Sequence, residues 1–112
     1  MASLVIAFPL LPGKTDAARQ TAQEERRRSA EFDESRRQAG ITREVAFLQH
    51  TPAQDLVVVY WEAADIGHAL HTLAVSDLPY DRWFRERLSE LHGIDPSQPP
   101  PPLPELLVDW KA

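Results

Sequence analysis

Four side chains near the middle of the chain have the types and spacing for acid–base chemistry: Glu44, His50, Tyr60 and Glu62. They lie in two apolar segments, 43–50 and 56–62, which read as a hairpin. If His50 pairs with Leu56, then Leu48 faces Val58, Ala46 faces Tyr60 and Glu44 faces Glu62, all on one side of the sheet. His50 changes charge near neutral pH and suits a general base. Tyr60 can donate to a developing enolate or phenolate oxygen. A register shifted by one residue moves His50 to the side of Val57, Val59 and Trp61. The plainer reading leaves His50 and Glu62 in water at strand ends and Tyr60 packed with its hydroxyl satisfied.

A second candidate lies upstream. Ala18, Thr21, Glu25, Ser29 and Phe32 share one helical face, and this face is small and partly polar. It either sits unusually close to a sheet or leaves a cavity beneath it. A carboxyl at Glu25 in that position has its pKa raised by desolvation, as an acid or base catalyst requires. The plainer alternative pairs Glu25 with Arg28 or turns it out to water. The expected catalytic set is therefore His50, Tyr60, Glu25 and Glu44. Ser29, Phe32 and Glu62 line the substrate space, and Trp83 roofs it as a lid for a flat ligand.

Other chemistries find little support. His68 and His71 share a helix face, but it is turned well away from the apolar stripe, so they read as surface residues and no metal site is expected. The glycines at 13, 40, 67 and 93 form no dinucleotide or phosphate loop, and no nucleophile elbow is present. No cofactor is expected. The absence of cysteine closes disulfide, thiol and thiolate-metal chemistry.

The elements that must position these residues follow from local signals. Residues 3–10 read as a strand ended by Pro9 and the Pro12-Gly13 turn. Thr15 or Asp16 caps a helix from Asp16 to about Gln38, stopped by Gly40. At about 1.5 Å per residue it would be about 35 Å long, so it must overhang the sheet or break near Ser29. After the hairpin, Asp65 caps a short helix with Ile66, Ala69, Leu70 and Leu73 on its inner side. Pro79 opens another, with Tyr80, Phe84, Leu88 and Leu91 buried and Gly93-Ile94 as its stop. A Pro-rich connector at 98–104 leads to a last strand at 106–110. The order is β-α-β-β-α-α-β.

Length and composition set the frame. The chain has 112 residues, 43% of them hydrophobic and 26% charged, enough for one domain spanning 1–112. Its net charge of −5 disfavours nucleic acid and anionic membranes as partners. The Arg26-Arg27-Arg28 run is no exception, since residues 15–39 carry six acids and six arginines. No apolar run approaches the roughly 20 residues of a membrane span. The apolar segment at 4–11 is preceded by no basic residue, so a secretory signal is not expected and a cytoplasmic protein is.

The segment Leu56-Val57-Val58-Val59-Tyr60-Trp61 is apolar at six successive positions, so both faces of its strand should be covered. Its own helices can cover only one. The expected partner is a second copy packed through the sheet. Burying about 600 Å² of apolar surface per subunit is worth on the order of 15 kcal/mol gross.

With the element order, Pro12-Gly13-Lys14, Gly40-Ile41 followed by Glu44 and Phe47-Leu48, and the run Ser76-Asp77-Leu78-Pro79-Tyr80-Asp81-Arg82-Trp83-Phe84, the chain resembles the dimeric α/β-barrel superfamily. Within it, the chain looks like a small uncharacterised bacterial family related to the antibiotic-biosynthesis monooxygenases. The resemblance implies an α+β, ferredoxin-like subunit with a four-stranded antiparallel sheet, paired with a second subunit into one barrel. It also implies a cofactor-independent enzyme of monooxygenase, cyclase or isomerase type that works by proton transfer on a small hydrophobic or aromatic substrate. The alternative is a non-catalytic dimeric domain that binds a ligand or partner.

Overall fold

Pro9 closes the first strand, β1 (Ala2–Pro9), as its sequence predicts, because proline has no amide to continue the ladder. In the computed structural model, which describes residues 1–95, 98–99 and 102–112, six further elements follow. They are α1 (Thr15–Arg27), α2 (Ser29–Ala39), β2 (Ile41–His50), β3 (Asp55–Ala63), α3 (Ile66–Val75) and α4 (Pro79–His92). The strands form one antiparallel sheet in the order β1-β3-β2. The fold is α+β, with the helices on one side of the sheet.

The long first helix breaks at Arg28, next to the expected place. Arg28 leaves helical geometry (φ −97°, ψ 37°), although its amide still reaches the Glu24 carbonyl. No glycine or proline causes the break. Instead the Arg28 guanidinium lies over the rings of Tyr80 and Trp83, 5.1 and 4.8 Å from their centroids, and pairs with Glu31. The new direction buries Ser35, Arg36 and Ala39 of α2. No side chain caps α1, contrary to expectation: the Thr15 hydroxyl donates to Asp55 Oδ2 at 2.6 Å. The other boundaries follow their local signals. Asp65 accepts from the His68 amide at 3.0 Å, and Gly40 and Gly93 end α2 and α4 at φ 75° and 70°.

Leu4, Ala39, Ile41, Trp61, Ala63 and Ala69 form the core, with Ile6, Val59, Ile66, Leu70 and Leu73 packed on it. All the strand members among them point to the helices. Along β3 the alternate residues Leu56, Val58 and Tyr60 point the other way, beside Val5 and Ala7 of β1 and Val45 and Phe47 of β2. Nothing among the described residues packs this second face as the helices pack the first, and Phe47 is 64% exposed. The sheet is therefore apolar on both sides and covered on one.

One expectation is corrected, and one open choice is decided. The sheet has three strands, not four, because residues 102–112 form no strand. Of the two hairpin registers open from sequence, the structure has the one shifted by one residue: His50 pairs with Asp55, Leu48 with Val57, Ala46 with Val59 and Glu44 with Trp61. The cause is a shorter turn. Thr51 Oγ1 receives the Gln54 amide at 3.1 Å and bonds the Gln54 carbonyl, so Asp55 joins the strand. A one-residue slip carries each side chain of β2 to the other neighbours of β3. Glu44 and His50 thus lie on the helix side, and Tyr60 and Glu62 lie on the open side.

Candidate functional site

Glu44 meets Trp61 across the β2–β3 pair, and Trp61 Nε1 donates to Glu44 Oε1 at 2.5 Å. From α2, Arg36 clamps the same carboxylate with two nitrogens, Nε to Oε1 at 3.0 Å and Nη2 to Oε2 at 3.3 Å. Such a planar two-point pairing suits a buried carboxylate. The third nitrogen, Nη1, donates to Ser35 Oγ at 2.8 Å, and Ser35 donates to Asp81 Oδ1 at 2.5 Å. Asp81 is 2% exposed, and its Oδ2 has no partner among the described residues. One polar chain therefore ties β3, β2, α2 and α4 together.

An aromatic cage surrounds this chain. Tyr80 is 1% exposed and stacks on Phe84, with Trp83 tilted beside it and Phe32 edge-on. The Arg36 guanidinium lies over Phe32 at 4.5 Å and over Phe84 at 5.3 Å. These are favourable positions for a cation that has lost water. From α1, Glu25 reaches in and accepts the Tyr80 hydroxyl at 3.2 Å. Burial raises the Glu25 pKa above the usual carboxylate range, and the charge of Glu44 adds to this; Arg36 and the Tyr80 bond oppose it. Burial and then the Glu25 charge push the Tyr80 phenol well above its ordinary value.

Access comes from the side of β2. The helix α1 packs chiefly on α2 and α4, and on the helix side of β2 Ala46 is exposed and Leu48 half-buried next to Glu44. This strip of sheet is left uncovered beside the two glutamates. Shallow depressions also occur on the outer surfaces of α2, along Ala30, Asp33 and Arg37, and of α4, along Arg82, Arg85 and Ser89. They touch none of the residues of the cluster.

The residues singled out from sequence fall into three places. Glu25, Glu44, Phe32 and Trp83 come together in the cluster, with Ser29 exposed at its rim. His50 stands apart at the hairpin end, mostly exposed, with Nδ1 2.9 Å from Asp55 Oδ1. Asp55 is held below its usual range by the Thr15 hydroxyl and then by His50. Tyr60 and Glu62 lie on the open face, where the Tyr60 hydroxyl donates to Glu62 Oε2 at 2.7 Å; that bond raises the phenol pKa. His50 and Tyr60 cannot share one substrate. Sequence reasoning missed Arg36, Ser35, Trp61 and Asp81, and assigned Tyr80 only to packing. Arg36 sits in an evenly charged helix, and no local signal separates it from its solvated neighbours.

No group of three His, Asp or Glu among the described residues is arranged to hold a metal ion, and no described helix is long and apolar enough to cross a membrane. The sequence profile of a family of unknown function, DUF6176, matches residues 1–109. The chain belongs to this family. No curated protein and no solved structure matches it. The DUF6176 match takes in the cluster beneath α1 and α2, the bare sheet face and the C-terminal segment.

Proposed function

We propose that this DUF6176 protein is a homodimer of ferredoxin-like subunits that pair their open sheet faces into an α/β barrel. Each subunit binds a small hydrophobic or aromatic molecule between α1 and the uncovered strip of β2, and moves a proton on it without a cofactor. The observation that carries the reading is Glu25, held half-buried against Tyr80 and beside the clamped Glu44. Its raised pKa makes the ionised carboxylate a stronger base than an exposed one. When Glu25 takes a proton from an acidic C–H group, it needs the Tyr80 bond less. The hydroxyl is then free to donate to the oxygen on which the substrate's negative charge develops. Arg36 supplies the nearby positive charge, and Phe32 and Trp83 offer flat surfaces.

The experiment is exchange of carbon-bound hydrogen. Small aromatic ketones and β-dicarbonyl compounds are incubated with the protein in D2O, and loss of the acidic C–H signal is followed by NMR. Exchange is expected to be faster with the wild-type chain than with Glu25→Gln, and unchanged by His50→Ala. Equal rates for wild type and Glu25→Gln would remove the catalytic reading.

A second reading, a non-catalytic dimeric domain that binds a ligand or partner, has one observation in its favour. Glu44, Arg36, Ser35 and Trp61 satisfy one another internally, as in a scaffold built for rigidity. Chemical-shift changes around Glu25 on ligand addition, with no exchange, would select it.

A further inference from the structure

Residues 106–110, Leu-Leu-Val-Asp-Trp, combine strong β-formers with full display to solvent. Leu106, Leu107, Val108 and Trp110 are between 74% and 85% exposed. Scattered surface hydrophobics need no explanation, but four within five residues form a patch that a lone subunit leaves wet. The Tyr60 phenol on the open face is raised first by its bond to Glu62 and by burial, and the Asp109 charge adds to this, which brings the segment within electrostatic range of that face. The sheet face and the segment are thus two apolar surfaces that a lone subunit leaves bare.

The sheet also has one unguarded edge. β2, on one side, carries the charged Arg43 and Glu44, residues of the kind that deter strand addition. β1, on the other, reads Ala-Ser-Leu-Val-Ile-Ala-Phe-Pro with no charged residue. Its outward backbone groups face no strand of this chain among the described residues. A further strand is therefore accommodated at β1, and the chain's own C-terminal segment does not occupy that place.

We infer that residues 104–110 form a strand exchanged between two copies of this chain, each adding its segment to the β1 edge of the partner as the open sheet faces meet. This rests on the dimer proposed above and deepens it: the missing fourth strand is supplied by the second copy. The Pro-rich connector expected at 98–104, of which residues 100 and 101 lie outside the described residues, has the composition of a stiff spacer, which suits a segment delivered to a second copy. The occupant is thus a second copy, and a different protein is an outcome of the test.

Mixed dimers of isotope-labelled and unlabelled full-length chains are examined by filtered NMR, with amide exchange measured alongside. Contacts from residues 104–110 of one chain to β1 of the other are expected, with slow exchange at both strands. Contacts confined within one chain, or complete exchange of residues 104–110 within seconds, would overturn the exchange. A chain ending at residue 103 and a full-length Val108→Asp variant are compared by sedimentation. Both should keep α4 protected while the dimer dissociation constant rises about tenfold or more. Undiminished dimerisation of both overturns the strand exchange but leaves the sheet-face dimer standing. A full-length chain that is monomeric at micromolar concentration overturns both.

Discussion

The two faces of one sheet, built from alternate residues of the same three strands, are both largely apolar but differ in what covers them and in how their polar groups are paired. Toward the helices, Trp61 and Glu44 begin a run of ion pairs and hydrogen bonds that ends at Asp81. Toward the open side, Val5, Ala7, Val45, Phe47 and Val58 present apolar surface, with the Tyr60–Glu62 pair, Ser3 and Arg43 toward one end and Gln49 toward the other. The face that carries the core and the buried ion pair is covered by the chain's own helices, and the other is left uncovered among the described residues. The covered side departs from the simplest expectation, in which a chain buries apolar groups and displays charge, by placing ion pairs beside its apolar core. The charged groups can be inside because each has a partner at fixed distance. Such pairing needs rigid elements from the same chain, whereas apolar surface tolerates the looser geometry of association.

The contrast can be broken most severely from the covered side. Arg36→Ala leaves Glu44 and Asp81 without their cation beneath the helices, and a loss of about 3–5 kcal/mol of folding stability is expected in chemical denaturation. A loss within 1 kcal/mol would show that the cluster is not a structural unit. On the open side, Phe47→Asp should leave the unfolding midpoint of the monomer nearly unchanged. It should weaken self-association about 100-fold in sedimentation, because a charge would have to be buried between the sheets. The same variant with unaltered association would mean that this face does not meet a second copy.

The smallest effect concerns pH. Unfolded Glu25 titrates in the ordinary carboxylate range, and the folded chain holds its proton to a higher pH because of burial and then Glu44. Between those two values folding binds a proton, so this group's contribution to stability is complete below the window and falls as pH rises through it. Glu25→Gln should therefore gain on the wild type at pH 8 and not at pH 4, by thermal unfolding at both. A difference independent of pH would place Glu25 in solvent.

Much of this architecture is legible in the residues. Asp65, Pro79, Gly40 and Gly93 mark their boundaries because caps and left-handed stops are local effects. The six apolar positions 56–61 announce a strand with two apolar faces, and the structure leaves one of them bare. The inward face of α1 that carries Glu25 is also legible from its stripe, although what it meets is Tyr80 of α4. The hairpin register is not, because the apolar pattern of β3 fits either offset and the choice falls to the turn at Thr51 and Gln54. Arg36 is hidden for a different reason. Its burial depends on the change of direction at Arg28, which rests on the distant rings of Tyr80 and Trp83.

The turn between β2 and β3 decides more than where a loop lies. Its length selects the side of the sheet on which Glu44, the one carboxylate of β2, lies, since Glu44 reaches Arg36 only while His50 pairs with Asp55. Inserting one residue between Thr51 and Gln54 would send Val45 to the guanidinium and Glu44 to the open face, with no other change in sequence. Substitutions in this turn should thus be far better tolerated than insertions or deletions.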